Sequence, residues 1–286
     1  GVIKPTGETK KRIVLSGHTD SAFEWTYTYK GGRPAVLTII LTAIIDIVLG
    51  IGGGIYALIY FGGAFGTVVW GEGGNVALRV IAVIFYISIP VLVAATKFCN
   101  FKLPVMGAND DLTGVFISCA AAKFLHDNNI RFENTEVMVV CAGGEEAGLR
   151  GTKAFAKAHK DELTDSSVET VYVGFDTIRE LDFTKIYDKD MTGMVKNDRK
   201  VAELIQRAAK NAGRDVSIGT IELGSTDAAA MSQAGVRAAS IVAMDPTPAR
   251  YYHTRLDTAD NLSPQAIDFG VKTALEAIFM FDEQGV

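Results

Sequence analysis

Two histidines and several carboxylates fall in short motifs of the kind that bind metal ions. Ser16-Gly17-His18-Thr19-Asp20-Ser21 follows a β-rich run, and Gly107-Ala108-Asn109-Asp110-Asp111-Leu112-Thr113-Gly114 opens an amphipathic stretch. Gly143-Gly144-Glu145-Glu146-Ala147-Gly148-Leu149-Arg150-Gly151 lies between a second β-rich run and a second amphipathic stretch. Gly174-Phe175-Asp176 ends a further apolar run, and Tyr251-Tyr252-His253-Thr254 comes late in the chain. Imidazoles mixed with carboxylates suit a hard-to-borderline divalent cation such as zinc. A pair of such cations needs one shared carboxylate plus further ligands for each, and the inventory suffices for that. Taken singly, each motif has a plainer reading: a hydrogen-bonded polar residue at a strand end, an N-cap, or carboxylates that complement a helix dipole. The joint occurrence in this order is the specific signal. The remaining histidines, His126 and His159, lie near the ends of amphipathic stretches, where a solvated or dipole-stabilising role suffices.

The elements that must position these motifs alternate in type. Arg12 to Gly17, Thr135 to Ala142, Thr170 to Phe175 and Ala238 to Ala243 are short β-rich runs ending in polar or glycine-containing loops. Amphipathic stretches with apolar residues at helical spacing lie near Leu112–His126, Ala147–Lys160, Arg199–Ala212 and Pro264–Phe281. Strands separated by helices predict an α/β fold with a mixed, mostly parallel sheet sandwiched by helices. In such sheets the working residues collect in loops at the carboxyl ends of strands, which is where these motifs fall.

One segment is chemically foreign to the rest. Between Ala35 and Thr96 the only charged residues are Asp46, Glu72 and Arg79. The segment divides at the polar stretch Trp70-Gly71-Glu72-Gly73-Gly74-Asn75 into apolar runs from about Val36 to Phe61 and from Val76 to Ala95. As helices these runs reach roughly 39 Å and 30 Å, enough to cross a hydrocarbon core of about 30 Å. The expected organisation is therefore a catalytic domain over residues 1–34 and 97–286 with an inserted transmembrane helical hairpin over 35–96, in contact with a lipid bilayer. Lys30, Arg33, Lys97 and Lys102 flank the hairpin, which predicts that both its ends lie on the cytoplasmic side. The competing reading is a pair of buried helices in a soluble core; Asp46 and the cluster Gly50, Gly52, Gly53, Gly54 make the first run the weaker span. The abrupt start at Gly1, with no initiator Met, predicts that residues precede it.

The composition excludes other classes. With 286 residues, 28 Lys+Arg against 33 Asp+Glu and a net charge of −5, the chain lacks the basic excess that nucleic-acid binding requires. Cys99, Cys119 and Cys141 neither make a disulfide framework nor have zinc-finger spacing, so a reducing compartment or burial is expected to explain them. Nothing in the sequence sets an oligomeric state.

The motifs GHTDS, GANDDLTG, GGEEAGLRG, GFD and YYHT together resemble those of the co-catalytic zinc aminopeptidases of peptidase family M28, which are related to the M42 and M20 peptidases. The resemblance runs from residue 16 to 254 and leaves out the hairpin. It implies a zinc-exopeptidase fold and two Zn²⁺ ions, with cobalt or manganese able to substitute. The implied metal ligands are His18, Asp110, Glu146, Asp176 and His253, with Asp110 bridging. Glu145 is implied as general base, taking a proton from the water shared by the two ions, and Asp20 as the residue that orients His18. The expected activity is removal of N-terminal residues from peptides by a membrane-anchored enzyme. A carboxypeptidase or amidohydrolase using the same centre, and a non-catalytic receptor or scaffold of the same fold, are the alternatives. The 92 positions between His18 and Asp110 exceed the family's usual spacing because they contain the hairpin. Gly224-Ser225-Thr226-Asp227-Ala228 resembles another family loop, but Asp227 is given no metal role, and Arg250 is read as a surface residue.

Overall fold

The computed structural model describes residues 1–61, 75–222, 224–247 and 249–286. It divides into two units, residues 1–22 with 105–286, and residues 23–104.

The first unit is an α/β sandwich. Its strands are β1 (Val2–Ile3), β2 (Lys11–His18), β5 (Thr135–Ala142), β6 (Glu169–Ile178), β7 (Thr184–Asp190), β8 (Val195–Lys196), β9 (Ser217–Thr220) and β10 (Arg237–Ala243); β3 and β4 belong to the second unit. The sheet order is β1-β5-β2-β6-β10-β7-β8, with β9 paired to β7. The centre β5-β2-β6-β10 is parallel, β1 pairs antiparallel with β5, and β7 pairs antiparallel with β10 and β8 but parallel with β9. Central parallel strands are covered on both faces, and Ile13, Val14 and Leu15 of β2 are accordingly all fully buried.

Alternation along β2 sends Ile13 and Leu15 to one face and Val14 to the other. On the first face they meet α3 (Leu112–Asp127), α6 (Arg199–Asn211) and α8 (Pro264–Gln284) through Ile117, Leu125, Leu204, Ile205, Ile278 and Phe281. On the second face Val14, Met138 and Tyr172 pack with Ala156 of α4 (Arg150–Ala158), Leu163 of α5 (Lys160–Leu163) and Met231 of α7 (Asp227–Gln233). Helix α6 shows how the sequence dictates this. The Asp198 side chain caps it by accepting the Lys200 and Val201 N–H groups, and its buried residues Val201, Leu204, Ile205 and Ala208 recur at helical spacing. Burying a side chain such as Leu204 or Ile205 stabilises the fold by about 1.5–3 kcal/mol. Helix α4 starts later than the amphipathic pattern predicts, because Gly148 and Leu149 adopt positive φ (97° and 59°) and turn the chain first.

The second unit holds the antiparallel pair β3 (Phe23–Trp25) and β4 (Cys99–Pro104), with α1 (Thr26–Phe61) and α2 (Val76–Ala95) between them in sequence. Helix α1 is interrupted at Gly32, whose φ of 58° and ψ of −155° are not helical. It continues without a break through Gly50 and Gly54. Gly50 and Gly53 face Phe85 and Ile81 of α2, and Ala57, Leu78 and Ala82 are buried between the helices. Small residues thus let the helices approach, as in membrane helix pairs. The outward residues are large and apolar, including Ile47, Val48, Ile51, Leu58, Val80 and Ile87, all more than half exposed. Two helices, Thr26–Leu58 and Val76–Ala95, are long and apolar enough to cross a membrane. Asn75 caps α2 by accepting the Ala77 and Leu78 N–H groups, whereas residues 70–74 of the expected turn lie outside the described residues. The second unit extends the expected 35–96 insertion at both ends, because β3 and β4 pair at its base.

Candidate metal centre

The parallel strands deliver the motif residues to one end of the first unit. His18 is the last residue of β2 and is in register with Ala142, the last residue of β5. Glu145 and Glu146 follow β5 in a loop that folds tightly onto α4. A Cβ on Gly151 would lie only 2.0 Å from the Gly143 carbonyl oxygen, so no larger residue fits. Asp176 sits near the end of β6, Asp110 in the loop before α3, and His253 in a turn with φ 53°. A Cβ on Gly17 would come within 2.3 Å of the Val115 amide nitrogen, which shows how closely α3 crosses the end of β2.

These side chains converge on Asp110. His18 Nε2 lies 3.3 Å from Asp110 Oδ1, and His253 Nε2 lies 3.0 Å from Asp110 Oδ2 and 3.1 Å from Glu146 Oε1. His18 Nε2 is 3.9 Å from Glu145 Oε2. Among the described residues, three groups have ligand atoms close enough to hold a metal ion: His18, Asp110 and Asp176; Asp110, Glu146 and His253; and His18, Glu145 and Glu146. The first two share Asp110, with one histidine on each side of its carboxylate.

Backbone anchoring fixes the arrangement. His18 Nδ1 is 3.1 Å from the Asp20 carbonyl oxygen and 3.6 Å from its carboxylate, which leaves Nε2 as the ligating atom. The Asp20 carboxylate accepts the Glu145 and Glu146 N–H groups at 2.9 and 3.2 Å, so one residue orients both the histidine and the glutamate pair. The Asp111 carboxylate accepts the His18, Gly114 and Thr177 N–H groups, tying β2, α3 and β6 together behind the ligands. Asp257 accepts the N–H groups of Asn109 and Asp110 and the Asn109 amide, and so holds the loop that carries Asp110. Tyr252 stacks on the His253 ring at 3.9 Å and 22°. The motif reading missed the anchoring by Asp111 and Asp257. Its one signal for Asp257 was a carboxylate four residues after His253. Asp227 is buried at the start of α7, where burial raises its carboxyl above the usual range. Arg250 is exposed and lines a cleft of 520 Å³ with Arg179, Glu180, Asp245 and Tyr251.

The electrostatics are those of a buried cluster in which carboxylates crowd two imidazoles. Burial, followed by repulsion from Asp176, pushes Glu145 up to about 10. Burial followed by Asp110 raises Asp176 to about 7. Burial alone would lower the imidazoles, but the facing carboxylates of Asp110 and Asp20 lift His18 well above the ordinary range, and those of Asp110 and Glu146 lift His253 to about 9. For Asp110 burial is opposed by His18 and His253, which hold it below the usual carboxylate range. Protons therefore neutralise the cluster when nothing else does, and a divalent cation would take their place with every ligand deprotonated. Asp110 Oδ2 and Glu146 Oε1 are buried and both face His253 Nε2, at 3.0 and 3.1 Å, which sets two carboxylate oxygens and an imidazole nitrogen around one point. The donor set of imidazole nitrogens and carboxylate oxygens fits zinc.

Comparison with known proteins identifies the fold and the family. The fold is shared with the LapA aminopeptidase of Legionella pneumophila at 18% identity and TM-score 0.52, over 64% of this chain and 48% of that one. It is also shared with a Zn-dependent exopeptidase from Parabacteroides distasonis at 14% identity and TM-score 0.58, over 98% of this chain and 76% of that one. A glutaminyl cyclase from Bacteroides thetaiotaomicron, solved with N-acetylhistamine, matches at 14% identity and TM-score 0.59, over 97% of this chain and 76% of that one. The chain spans about half the length of the LapA aminopeptidase. The pattern of peptidase family M28 matches residues 90–278, about two thirds of the sequence, and the chain belongs to that family.

Proposed function

We propose that the protein is a membrane-anchored aminopeptidase that hydrolyses the N-terminal residue of peptides at a dizinc centre. The observation that carries this reading is Asp110 lying between two imidazoles, His18 at 3.3 Å on one oxygen and His253 at 3.0 Å on the other. His18, Asp110 and Asp176 would hold one ion, and Asp110, Glu146 and His253 the other. Zinc supplies a Lewis acid for the scissile carbonyl and lowers the pKa of the attacking water.

The chain's own groups manage the proton. Glu145 Oε2 takes it from the water as attack proceeds and returns it to the nitrogen of the leaving amine. That role needs Glu145 to stay off the metal while Glu146 binds it. The two N–H bonds to Asp20 support this by fixing the backbone at adjacent residues, from which successive side chains leave in different directions.

Anchoring rests on α1 and α2, whose outward apolar faces and span-length helices suit a bilayer core of about 30 Å. Lys30, Arg33, Lys97 and Lys102 at its flanks support a cytoplasmic position for the ends of the hairpin. Within the first unit the Val105 N–H donates to the Ala22 carbonyl at 3.0 Å, so the chain leaves for the insertion and returns side by side. A release assay on peptide libraries, with and without chelator, tests the activity. Chelator-sensitive release of N-terminal residues supports it, and cyclisation of N-terminal glutamine without release contradicts it.

A further inference from the structure

Of the explanations expected for the cysteines, a reducing compartment or burial, burial does not hold for two of them. Cys119 on α3 and Cys141 on β5 are both exposed, and their sulfurs lie 3.8 Å apart across 22 residues of sequence. We propose that Cys119 and Cys141 are a redox-active dithiol that a hydroperoxide closes into a disulfide between α3 and β5.

The geometry requires little movement. A disulfide has its sulfurs about 2.05 Å apart, so the pair must close by roughly 1.8 Å, which rotation about the Cα–Cβ bonds of two exposed side chains can cover. The order of events follows from the surroundings. Cys119 is exposed and meets the oxidant, while partial burial of the Cys141 sulfur, and then the neighbouring thiol, push Cys141 up to about 11. Attack of the Cys119 sulfur breaks the O–O bond, oxidising the sulfur to a sulfenic acid and reducing the hydroperoxide to an alcohol, or to water for hydrogen peroxide. The Cys141 sulfur then attacks the Cys119 sulfur. The S–S bond forms, the S–O bond breaks, and the hydroxyl leaves as water with the Cys141 proton. Two thiols thus give up two electrons and two protons, all accounted for in the alcohol and water.

The position of the pair gives the bond a target. Helix α3 begins directly after Asp110 and Asp111, and Cys141 is the penultimate residue of β5, whose end leads through Gly143 and Gly144 to Glu145 and Glu146. The disulfide would fasten the segment that carries Asp110 to the segment that carries the glutamate pair. The inference stands on the two thiols and is independent of whether peptide hydrolysis is found.

The test treats the reduced full chain in detergent micelles with a small excess of hydrogen peroxide, alkylates remaining thiols and maps peptides without reduction. The expected product is a peptide pair joined through Cys119 and Cys141, about 2 Da lighter than its separated halves, that dithiothreitol reverses. Only Cys99 is then alkylated. In Cys141→Ser the reaction should stop at a Cys119 sulfenic acid that dimedone traps. Recovery of all three thiols as alkylated, over-oxidation of Cys119 without a cross-link, or pairing of either thiol with Cys99 or with a second chain would overturn the proposal; the wild-type map alone suffices to decide.

Discussion

The carboxylate of Asp20 accepts the backbone N–H of Glu145 at 2.9 Å, while the Asp20 carbonyl oxygen lies 3.1 Å from His18 Nδ1. One residue therefore sets both the orientation of a ligand and the position of the proposed base. Replacing a partner of this kind costs about 10–100-fold in metal affinity or activity. Asp20→Ala should lose activity in that range and bind zinc more weakly, read from kcat and a metal titration. Unchanged values for both would show that the loop positions itself.

In the proposed mechanism the glutamate pair divides its labour, with Glu145 as proton acceptor and Glu146 as ligand. On that reading Glu145→Gln should lower kcat about 10²–10⁴-fold with zinc content retained. Glu146→Gln should instead lose metal. Elemental analysis beside the kinetics separates the two, and metal loss in Glu145→Gln would exchange the assigned roles.

Much of this was legible in the sequence because the central strands are buried on both faces and read as continuous apolar runs. Val137 to Val140 and Val171 to Val173 announced β5 and β6, and the motifs at their ends announced the site. Strand β7 escaped because Thr184–Asp190, read as sequence, is largely polar and pairs outside the parallel centre. Asp111 and Asp257 escaped for a different reason. Their work is to accept N–H groups that only the folded chain brings near, and no local spacing encodes such partners. Burial, one of the two explanations expected for the cysteines, does not hold for Cys119 and Cys141, because exposure depends on which sides of α3 and β5 face outward.

Asp111 offers a stability test that does not depend on catalysis. Its carboxylate serves the buried N–H groups of His18, Gly114 and Thr177, and each group left without an acceptor costs about 1–3 kcal/mol. Asp111→Ala should destabilise the first unit by at least about 3 kcal/mol, measured as a fall in the urea midpoint. A shift below about 0.5 kcal/mol would mean that water replaces the carboxylate.

Glu136 predicts the acid limb of stability. Its side chain is fully buried; burial would raise its pKa, but Lys4 at 2.6 Å and then Arg12 at 2.5 Å outweigh that and lower it. A depressed carboxylate contributes stability above its unfolded value of about 4.3 and loses it as the pH falls through the lower folded value. Unfolding free energy should therefore drop as pH is lowered below about 4.3, and Glu136→Gln should flatten that limb. An unchanged slope in the variant would assign the acid limb to other groups.

Metal stoichiometry tests the proposed centre around Asp110 most directly. Elemental analysis of the purified full chain, alongside peptide-release assays before and after chelation, should give close to two zinc ions per chain, with release lost on chelation and restored by added zinc. His18→Ala and His253→Ala should each weaken one of the two ions. A folded chain that binds no zinc, or full release with the metal removed, would contradict the account.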